Sequence, residues 1–353
     1  MAVPVPRPVI DAVPAYRPGR PAPSDALKLS SNENPFGPLP SVAQAAGAEL
    51  SRMNRYPDAG MTRLYGALEA ALEVPADRFA AGTGSVAVLY SLLSAYCSPG
   101  DEVVYAWRSF EAYPIAVELS GAHSVRVPLR PDGTHDLDAM AAAVTDRTKV
   151  VLVCTPNNPT GPVVRHDDLV SFVDRLRDDV IVVVDEAYQE FVRDAHAARG
   201  LPFVLEDRPN VVVLRTFSKA YGLAGLRVGY LCGPRAVAES VRKATAPFSV
   251  TDVAQAAAVA SLAAADELAE RVDAVVAERE VLLTGLRAQG WEVPDSQSNF
   301  VWLPLGDDAV EFAAAVEPVA VRAFAGDGVR VSVGDPAVDA QLLEAAGVWI
   351  AGR

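Results

Sequence analysis

The chain has 353 residues and a formal net charge of −14, with 31 basic against 45 acidic residues. Half of the residues are apolar and 22% are charged, which excludes a disordered chain because enough apolar surface is available for a core. The acidic balance argues against nucleic acid or an anionic membrane as a partner, and no apolar run is long enough to predict a transmembrane helix. Three scattered cysteines without a CxxC motif (Cys97, Cys154 and Cys232) favour a cytoplasmic protein without disulfides.

The first two thirds of the chain divide into a short arm and a large α/β domain. Residues 1–30 are rich in proline and predict an extended N-terminal arm without helix that packs on another part of the chain. In residues 31–250, short valine-rich runs alternate with segments of helical spacing, which is typical of strands buried on both faces of a mostly parallel sheet between helices. The predicted strands are EVVY (102–105), HSVRV (123–127), TKVVLVC (148–154), VIVVVD (180–185), NVVVLRTF (210–217) and RVGYLC (227–232).

Residues 251–353 are predicted to form a smaller α+β C-terminal domain. Residues 252–289 contain no proline and one glycine, Gly285, so one or two long helices are expected there. Three short apolar segments then predict paired strands, and a further helix is expected from Asp335 onward. The three segments are SNFVWLPL (298–305), VAVRAFA (319–325) and GVRVSV (328–333).

Polar motifs follow three of the predicted strands. Residues 155–161 follow one valine run, residues 185–188 the next and residues 216–219 the third. Because parallel strands present their carboxyl ends at the same edge of a sheet, we expect these motifs to share one crevice. A lysine at such a position, Lys219, can be desolvated, which lowers its pKa and makes it a nucleophile. A glycine-containing turn at 82–86 opens a helix, where phosphate can bind, although such turns are also common without a ligand.

Six motifs extend over nearly the whole chain, in a consistent order and spacing. They are SNENPFGP (31–38), RYPD (55–58), NNPTG (157–161), DEAY (185–188), TFSKAYGLAGLRVGY (216–230) and GVRVSV (328–333). Together they resemble the fold-type I pyridoxal-phosphate aminotransferases. The closest resemblance is to the branch that contains the histidinol-phosphate and aromatic amino-acid aminotransferases.

This resemblance implies that the chain binds pyridoxal 5′-phosphate, an electron sink for the carbanion formed when a substrate loses its Cα proton. It makes Lys219 the residue that binds the cofactor covalently and that, once displaced, moves the proton as a general base. Asp185 matches the carboxylate that pairs with the pyridine nitrogen. Tyr188 and Asn158 match the groups that hydrogen-bond the 3′-oxygen of the ring.

The cofactor phosphate is expected at the start of the helix that follows the glycine turn. Backbone N–H groups at a helix N-terminus supply donors and a favourable dipole. The resemblance adds two hydroxyl groups and a guanidinium whose planar fork suits phosphate oxygens. The expected phosphate ligands are Gly84, Ser85, Val86, Thr216, Ser218 and Arg227.

Two aromatic residues are also assigned by the resemblance. Tyr56, in RYPD, is similar to a tyrosine that reaches the phosphate from the other subunit, which implies a homodimer with shared active sites. Phe110 falls where the family places an aromatic residue stacked on the cofactor ring. Many relatives have tyrosine there, so this chain keeps the stacking face but lacks the hydroxyl.

Substrate recognition is assigned to the second half of the chain and to the arm. Arg330 is expected to bind the substrate carboxylate, and Arg322 is a second candidate that can instead form a structural ion pair. Tyr16 and Phe36 in the arm, with Phe110, are expected to form an apolar wall for a substrate ring. The histidines show no metal-ligand spacing, and no metal site is expected.

The implied activity is transfer of an amino group between an aromatic amino acid and 2-oxoglutarate, both small-molecule partners. WRSFEAYP (107–114) and residues 247–262 favour the aromatic branch, and histidinol phosphate is the alternative substrate. A decarboxylase of the same fold is a less favoured alternative. A non-enzymatic binding module fits poorly with the complete set of Asp185, Lys219 and Arg227.

Overall fold

A computed structural model describes residues 4–15, 19 and 21–353. The strands are β1 (Phe79–Gly82), β2 (Glu102–Trp107), β3 (His123–Pro128), β4 (Thr148–Cys154), β5 (Ile181–Asp185), β6 (Val211–Thr216), β7 (Gly229–Cys232), β8 (Phe300–Gly306), β9 (Arg322–Phe324) and β10 (Asp327–Ser332). The helices are α1 (Pro8–Ala12), α2 (Pro40–Glu49), α3 (Thr62–Leu72), α4 (Ser85–Tyr96), α5 (Ala112–Ser120), α6 (Leu137–Ala142), α7 (His166–Asp174), α8 (Leu201–Leu205), α9 (Arg235–Ala244), α10 (Asp252–Ala263), α11 (Ala265–Ala288), α12 (Ala309–Ala315) and α13 (Pro336–Ala351).

The first seven strands form one sheet with the order β1-β7-β6-β5-β4-β2-β3. The valine-rich strands at its centre are buried on both faces, because successive side chains point to opposite sides. In β2, Val103 and Tyr105 pack with α4 and α5, whereas Val104 and Ala106 pack with α6 and α7. The predicted α/β layering is therefore confirmed, and it brings the carboxyl ends of β4, β5 and β6 together at one edge.

Two strands of this sheet differ from the prediction, and one strand was missed. β7 runs antiparallel to β6, because Phe217 N–H donates to Val228 O and folds residues 217–228 back at the same edge without a crossover helix. β3 is an edge strand with mostly exposed or half-buried residues, so it is not buried on both faces. β1, with the sequence FAAG, lacks the valine pattern on which the strand prediction depended.

The last three strands form a separate antiparallel sheet with the order β8-β10-β9. It packs against α11, α12 and α13 around a core that includes Phe300 and Phe312, as expected of an α+β unit. One or two long helices were expected in residues 252–289, and the structure has two there, α10 and α11.

The N-terminal arm packs on this second sheet, as predicted. Ala320 N–H donates to Leu27 O at 2.8 Å, and Ser332 N–H donates to Leu29 O at 2.9 Å. The prediction that the arm contains no helix was wrong, because α1 forms one short helix there. Pro8 occupies its first position, where a missing N–H leaves no hydrogen bond unmade. Within the described ranges, no helix is long and apolar enough to cross a membrane.

Candidate active site

A cavity of about 310 Å³ lies at the carboxyl ends of β4, β5 and β6. It is enclosed by the start of α4, by the antiparallel sheet and by residues 30–33 of the arm. The expectation that the polar motifs after these strands share one crevice is confirmed. The residues singled out from the sequence that line it are Ser85, Val86, Phe110, Asn158, Asp185, Tyr188, Thr216, Ser218, Lys219, Arg227, Arg322 and Arg330.

Three of the residues singled out from the sequence are described by the structure and do not line this cavity. Gly84 lies behind the guanidinium of Arg227. Tyr56 is 81% exposed and its ring lies 4.7 Å from that of Phe248. Tyr16 falls outside the described residues. Phe36, expected to form a wall of the cavity, is absent from its lining; the residue is 41% exposed, and the guanidinium carbon of Arg271 lies 5.8 Å from the centroid of its ring.

Asp185 is the last residue of β5 and lines the cavity. Its Oδ2 accepts a hydrogen bond from Tyr113 Oη at 2.6 Å, whereas its buried Oδ1 has no partner among the described residues. Burial raises the pKa of Asp185 to about 6, against the opposing effect of the Tyr113 hydrogen bond. One carboxylate oxygen is therefore held, and the other is left for a donor that the described residues do not supply.

Lys219 lies in the loop that joins β6 to β7. Its Nζ donates to the backbone oxygen of Ser31 at 3.1 Å and of Asn32 at 3.3 Å. Burial lowers its pKa to about 7, and the positive charges of Arg330 and Arg227 act in the same direction. A large fraction of this amine is therefore neutral near pH 7, which is the form that acts as a nucleophile or base.

A cluster of hydrogen-bond donors lies at the N-terminus of α4. Arg227 Nη1 donates to Ser218 Oγ at 3.3 Å, and Ser218 N–H donates to Thr216 Oγ1 at 3.1 Å. Gly84 has a φ of 89°, and a Cβ there would lie 2.4 Å from Arg227 Nη2, so only glycine admits this guanidinium. Gly229 acts in the same way, since a Cβ there would lie 2.3 Å from the N atom of Ser85. The helix dipole, the hydroxyls and the guanidinium together favour a bound anion.

The second sheet contributes two arginines, Arg322 and Arg330, to the lining of the cavity. Arg330 is 7% exposed, and it donates to Asn158 Oδ1 at 2.6 Å and to Ser30 O at 2.7 Å. Arg322 Nη2 donates to both carboxylate oxygens of Glu111, at 2.9 and 3.0 Å. Of the two alternatives considered for Arg322, the ion pair is therefore present in the structure.

Several residues of the site were missed in the sequence. Tyr113 and Glu111 both lie in the WRSFEAYP motif, which pointed only to the substrate class. Asn32, whose Nδ2 donates to Tyr188 Oη at 2.9 Å, lies in SNENPFGP, so that motif carried a signal that could have identified it. His135, to which the sequence assigns no role, does not line this cavity; its Nε2 is buried 3.2 Å from Asn157 Oδ1, and burial lowers its pKa to about 4.

The mixed sheet, the smaller antiparallel sheet and the cavity lined by both Lys219 and Asp185 point to a class of enzyme. Residues 24–350 match the family "Aminotransferase class I and II", and the chain belongs to this family. The resemblance drawn from the six motifs and the predicted fold class are thereby confirmed.

Particular relatives narrow the comparison. The chain is 56% identical over 331 residues to an aromatic amino acid aminotransferase from Streptomyces coelicolor, covering 92% of each protein. It is 55% identical over 335 residues to that of Thermobifida fusca, covering 94% of this chain and 93% of the relative. A crystal structure of histidinol-phosphate aminotransferase from Sinorhizobium meliloti in complex with pyridoxal-5′-phosphate is similar over 99% of both chains, with a TM-score of 0.89 and 28% identity.

Proposed function

We propose that this aminotransferase uses pyridoxal 5′-phosphate to move amino groups between aromatic amino acids and 2-oxoglutarate. The observation that carries the proposal is that Lys219 and Asp185 line the same cavity in a chain that belongs to this family. The aromatic substrate class is supported by relatives of that name at 55–56% identity over more than nine tenths of the chain.

The residues of the cavity fit the cofactor. Asp185 Oδ1, which is buried and has no hydrogen-bond partner in the described chain, suits the N–H of a protonated pyridine ring. Arg227, Ser218 and the first turn of α4 suit a phosphate dianion. When bound, pyridoxal phosphate supplies the electron sink for a negative charge at the substrate Cα.

Lys219 is the proposed covalent attachment point and general base. Its Nζ, with a pKa of about 7, can accept the proton that leaves the substrate Cα and release it again near neutral pH. Ionised Asp185 would keep a proton on the ring nitrogen. Tyr188 and Asn158 also line the cavity, where they would orient the ring 3′-oxygen.

Arg330 is the proposed clamp for the α-carboxylate of the substrate. Its guanidinium is already fixed by hydrogen bonds to Asn158 and Ser30, so little side-chain freedom remains to be lost when a carboxylate binds. A carboxylate bound to Arg330 would bring the substrate Cα into the cavity that Lys219 also lines.

The cavity favours a ring over a second phosphate. Phe110, Val86 and Ala187 line it with apolar surface, and a Phe-sized ring gains about 1.5–3 kcal/mol from burial. A phosphate dianion in the same place would lose hydration and would need several donors. Arg322, a candidate donor, has its charge compensated by Glu111. This pairing favours an aromatic amino acid over histidinol phosphate.

A substrate panel tests the proposal. Protein reconstituted with pyridoxal phosphate should be yellow, and kcat/KM with 2-oxoglutarate as acceptor should be higher for phenylalanine or tyrosine than for histidinol phosphate. A tenfold preference for histidinol phosphate, about 1.4 kcal/mol in transition-state binding, would contradict the proposed aromatic substrate class. Release of CO₂ without consumption of 2-oxoglutarate would instead identify a decarboxylase.

We propose that the active form is a cytoplasmic homodimer in which Tyr56 reaches the phosphate of the neighbouring site. Tyr56 and Phe248 form an exposed aromatic pair, and Leu50 and Met53, a few positions before Tyr56 in the chain, are exposed apolar residues as well. Exposed apolar side chains of this kind are typical of an interface. The cytoplasmic location is supported by three cysteines that are buried and unpaired.

Hybrid dimers test the shared site. Tyr56→Ala protein should be impaired at limiting cofactor, and Lys219→Ala protein should be inactive. A mixed dimer would combine the intact Lys219 of one subunit with the intact Tyr56 of the other, so activity should recover up to one competent site. Activity no greater than that of the separate variants, or a fully active monomer in sedimentation, would contradict the arrangement.

A further inference from the structure

Tyr113 is the only side chain for which the structure gives a hydrogen bond to the Asp185 carboxylate, among the residues it describes. It is the second residue of α5 and is 1% exposed. Its ring packs edge-on against Tyr105, with centroids 5.7 Å apart, and against Phe110, with centroids 5.6 Å apart. Because these contacts fix the ring, the direction of the hydroxyl donor toward Asp185 is fixed by the core of the protein.

The hydrogen bond distinguishes the two oxygens of Asp185. Oδ2 accepts from Tyr113 at 2.6 Å, a distance typical of a hydrogen bond to a charged oxygen. Oδ1 makes no hydrogen bond in the described part of the molecule. A carboxylate that is held through one oxygen cannot rotate freely about its terminal torsion, so the other oxygen has a defined direction.

Tyr113 is chemically suited to remain the donor. Burial, and next the neighbouring Asp185 charge, raise the pKa of Tyr113 well above its usual value, so its hydroxyl stays protonated. The other titratable groups near Asp185 are Cys154 at the end of β4 and Glu186 and Tyr188 on its own turn. Burial raises the pKa of Cys154 to about 12, so it carries no competing negative charge at neutral pH.

We propose that Tyr113 is a positioning residue that holds Asp185 through Oδ2 so that Oδ1 faces the pyridine nitrogen of the cofactor. This inference rests on the proposed function, because it requires pyridoxal phosphate in the cavity. Tyr113 touches neither substrate nor cofactor in this scheme, and its effect on the ring nitrogen is transmitted through Asp185.

Cofactor affinity, measured without substrate, tests the inference. Tyr113→Phe keeps the ring and removes the donor, and it should weaken the binding of pyridoxal phosphate about tenfold, since a hydrogen bond to a charged group is lost. The 1-deaza analogue, in which a C–H replaces the ring nitrogen, should bind equally well to wild type and Tyr113→Phe. A structural defect would weaken both cofactors alike.

Tyr105→Phe is the matched control. Tyr105 is fully buried in the same cluster, but its hydroxyl accepts a hydrogen bond from Arg126 at 3.3 Å and makes none to Asp185. This variant should bind both cofactors like wild type. In an Asp185→Asn background, Tyr113→Phe should cause little further loss of affinity, because the two side chains act as one unit.

Each outcome has a separate meaning. Equal affinity of wild type and Tyr113→Phe for pyridoxal phosphate, or an equal loss for both cofactors, would overturn the role of Tyr113. Failure of the wild type to bind pyridoxal phosphate would instead overturn the proposed function. If Tyr113→Phe does not fold, 3-fluorotyrosine at position 113, a stronger donor of the same shape, should tighten binding of pyridoxal phosphate and leave the deaza analogue unchanged; no difference there would also overturn the inference.

Discussion

Two parts of the cavity, its floor and its mouth, differ in whether their ionisable side chains have partners within the protein. We define the floor as Asp185 and Lys219, which follow strands of the large sheet, and the mouth as Arg322 and Arg330, which come from the antiparallel sheet. At the floor, burial raises the pKa of Asp185 to about 6 and lowers that of Lys219 to about 7. Neither group has an ion-pair partner in the described chain.

At the mouth, by contrast, each guanidinium is already bound by the protein. Arg330 donates to Asn158 and Ser30, and Arg322 forms an ion pair with Glu111. The floor therefore keeps reactive groups at the expense of stability, whereas the mouth holds guanidiniums in hydrogen bonds, and the role proposed for them is substrate binding. This difference predicts that changes at the floor affect chemistry and stability, and that changes at the mouth affect KM.

The largest effect is expected at Lys219. Lys219→Ala should lower transamination by at least about 10⁴-fold, because covalent attachment and proton transfer are lost together. Cofactor binding through Asp185 and Arg227 should persist. Borohydride reduction of the wild type should fix the cofactor to the peptide that contains Lys219.

Lys243→Ala is a suitable control for that experiment, because Lys243 is an exposed residue of α9 paired with Glu239. It should retain normal activity. Labelling of a lysine other than Lys219, or near-normal turnover of Lys219→Ala, would refute the assignment.

A second test asks whether the floor is destabilising. The pKa of Asp185 is about 6 in the folded protein, against 3.8 for an unperturbed carboxyl group. The free energy of unfolding therefore falls as the pH rises from 3.8 to about 6, because the unfolded chain releases this proton more readily. Without cofactor, Asp185→Asn should be more stable than wild type by about 3 kcal/mol above pH 6, and this difference should vanish below pH 4. Denaturant unfolding between pH 3.5 and 7.5 measures it.

Saturating cofactor should make the wild type more stable than Asp185→Asn, because the variant cannot hold a proton on the ring nitrogen. Weaker cofactor binding by the variant, alongside its greater stability without cofactor, is therefore expected. A cofactor-free variant that is less stable than wild type at pH 7 would show that the floor is not under electrostatic strain.

A third test concerns the mouth. Arg330→Ala should raise KM for phenylalanine about 100-fold, because two charged hydrogen bonds to the carboxylate are lost, while kcat changes less. Arg322→Ala should change the same KM less than about tenfold, since its charge is compensated by Glu111. Steady-state kinetics of both variants would expose a wrong assignment if the order were reversed.

The smallest effect is expected at Glu111. Glu111→Gln leaves the Arg322 charge uncompensated, which should lower KM for 2-oxoglutarate by about threefold and leave KM for phenylalanine nearly unchanged. The effect should decrease at high ionic strength, because the charge is partly exposed. Equal changes for both substrates, or no dependence on salt, would contradict this account of the mouth.

The floor could be predicted from the sequence because it depends on a local pattern. Valine-rich runs end in NNPTG, DEAY and TFSK, and parallel strands bring such ends together at one edge of the sheet. The sequence therefore predicts that Asp185 and Lys219 lie in one cavity, together with Asn158 after the neighbouring strand. The same patterns could not give the direction of β7 or the exposure of β3, because a single run of residues does not report its neighbours.

Only the tertiary structure decided which of these groups have partners. Tyr113 lies 72 positions from Asp185, Glu111 lies 211 positions from Arg322, and Ser30 lies 300 positions from Arg330. The residue types are the same whether such side chains are paired or not, and pairing depends on how the arm and the two sheets pack. The sequence thus determined the strand ends and the reactive residues on them, whereas packing across the chain determined their charge state and orientation.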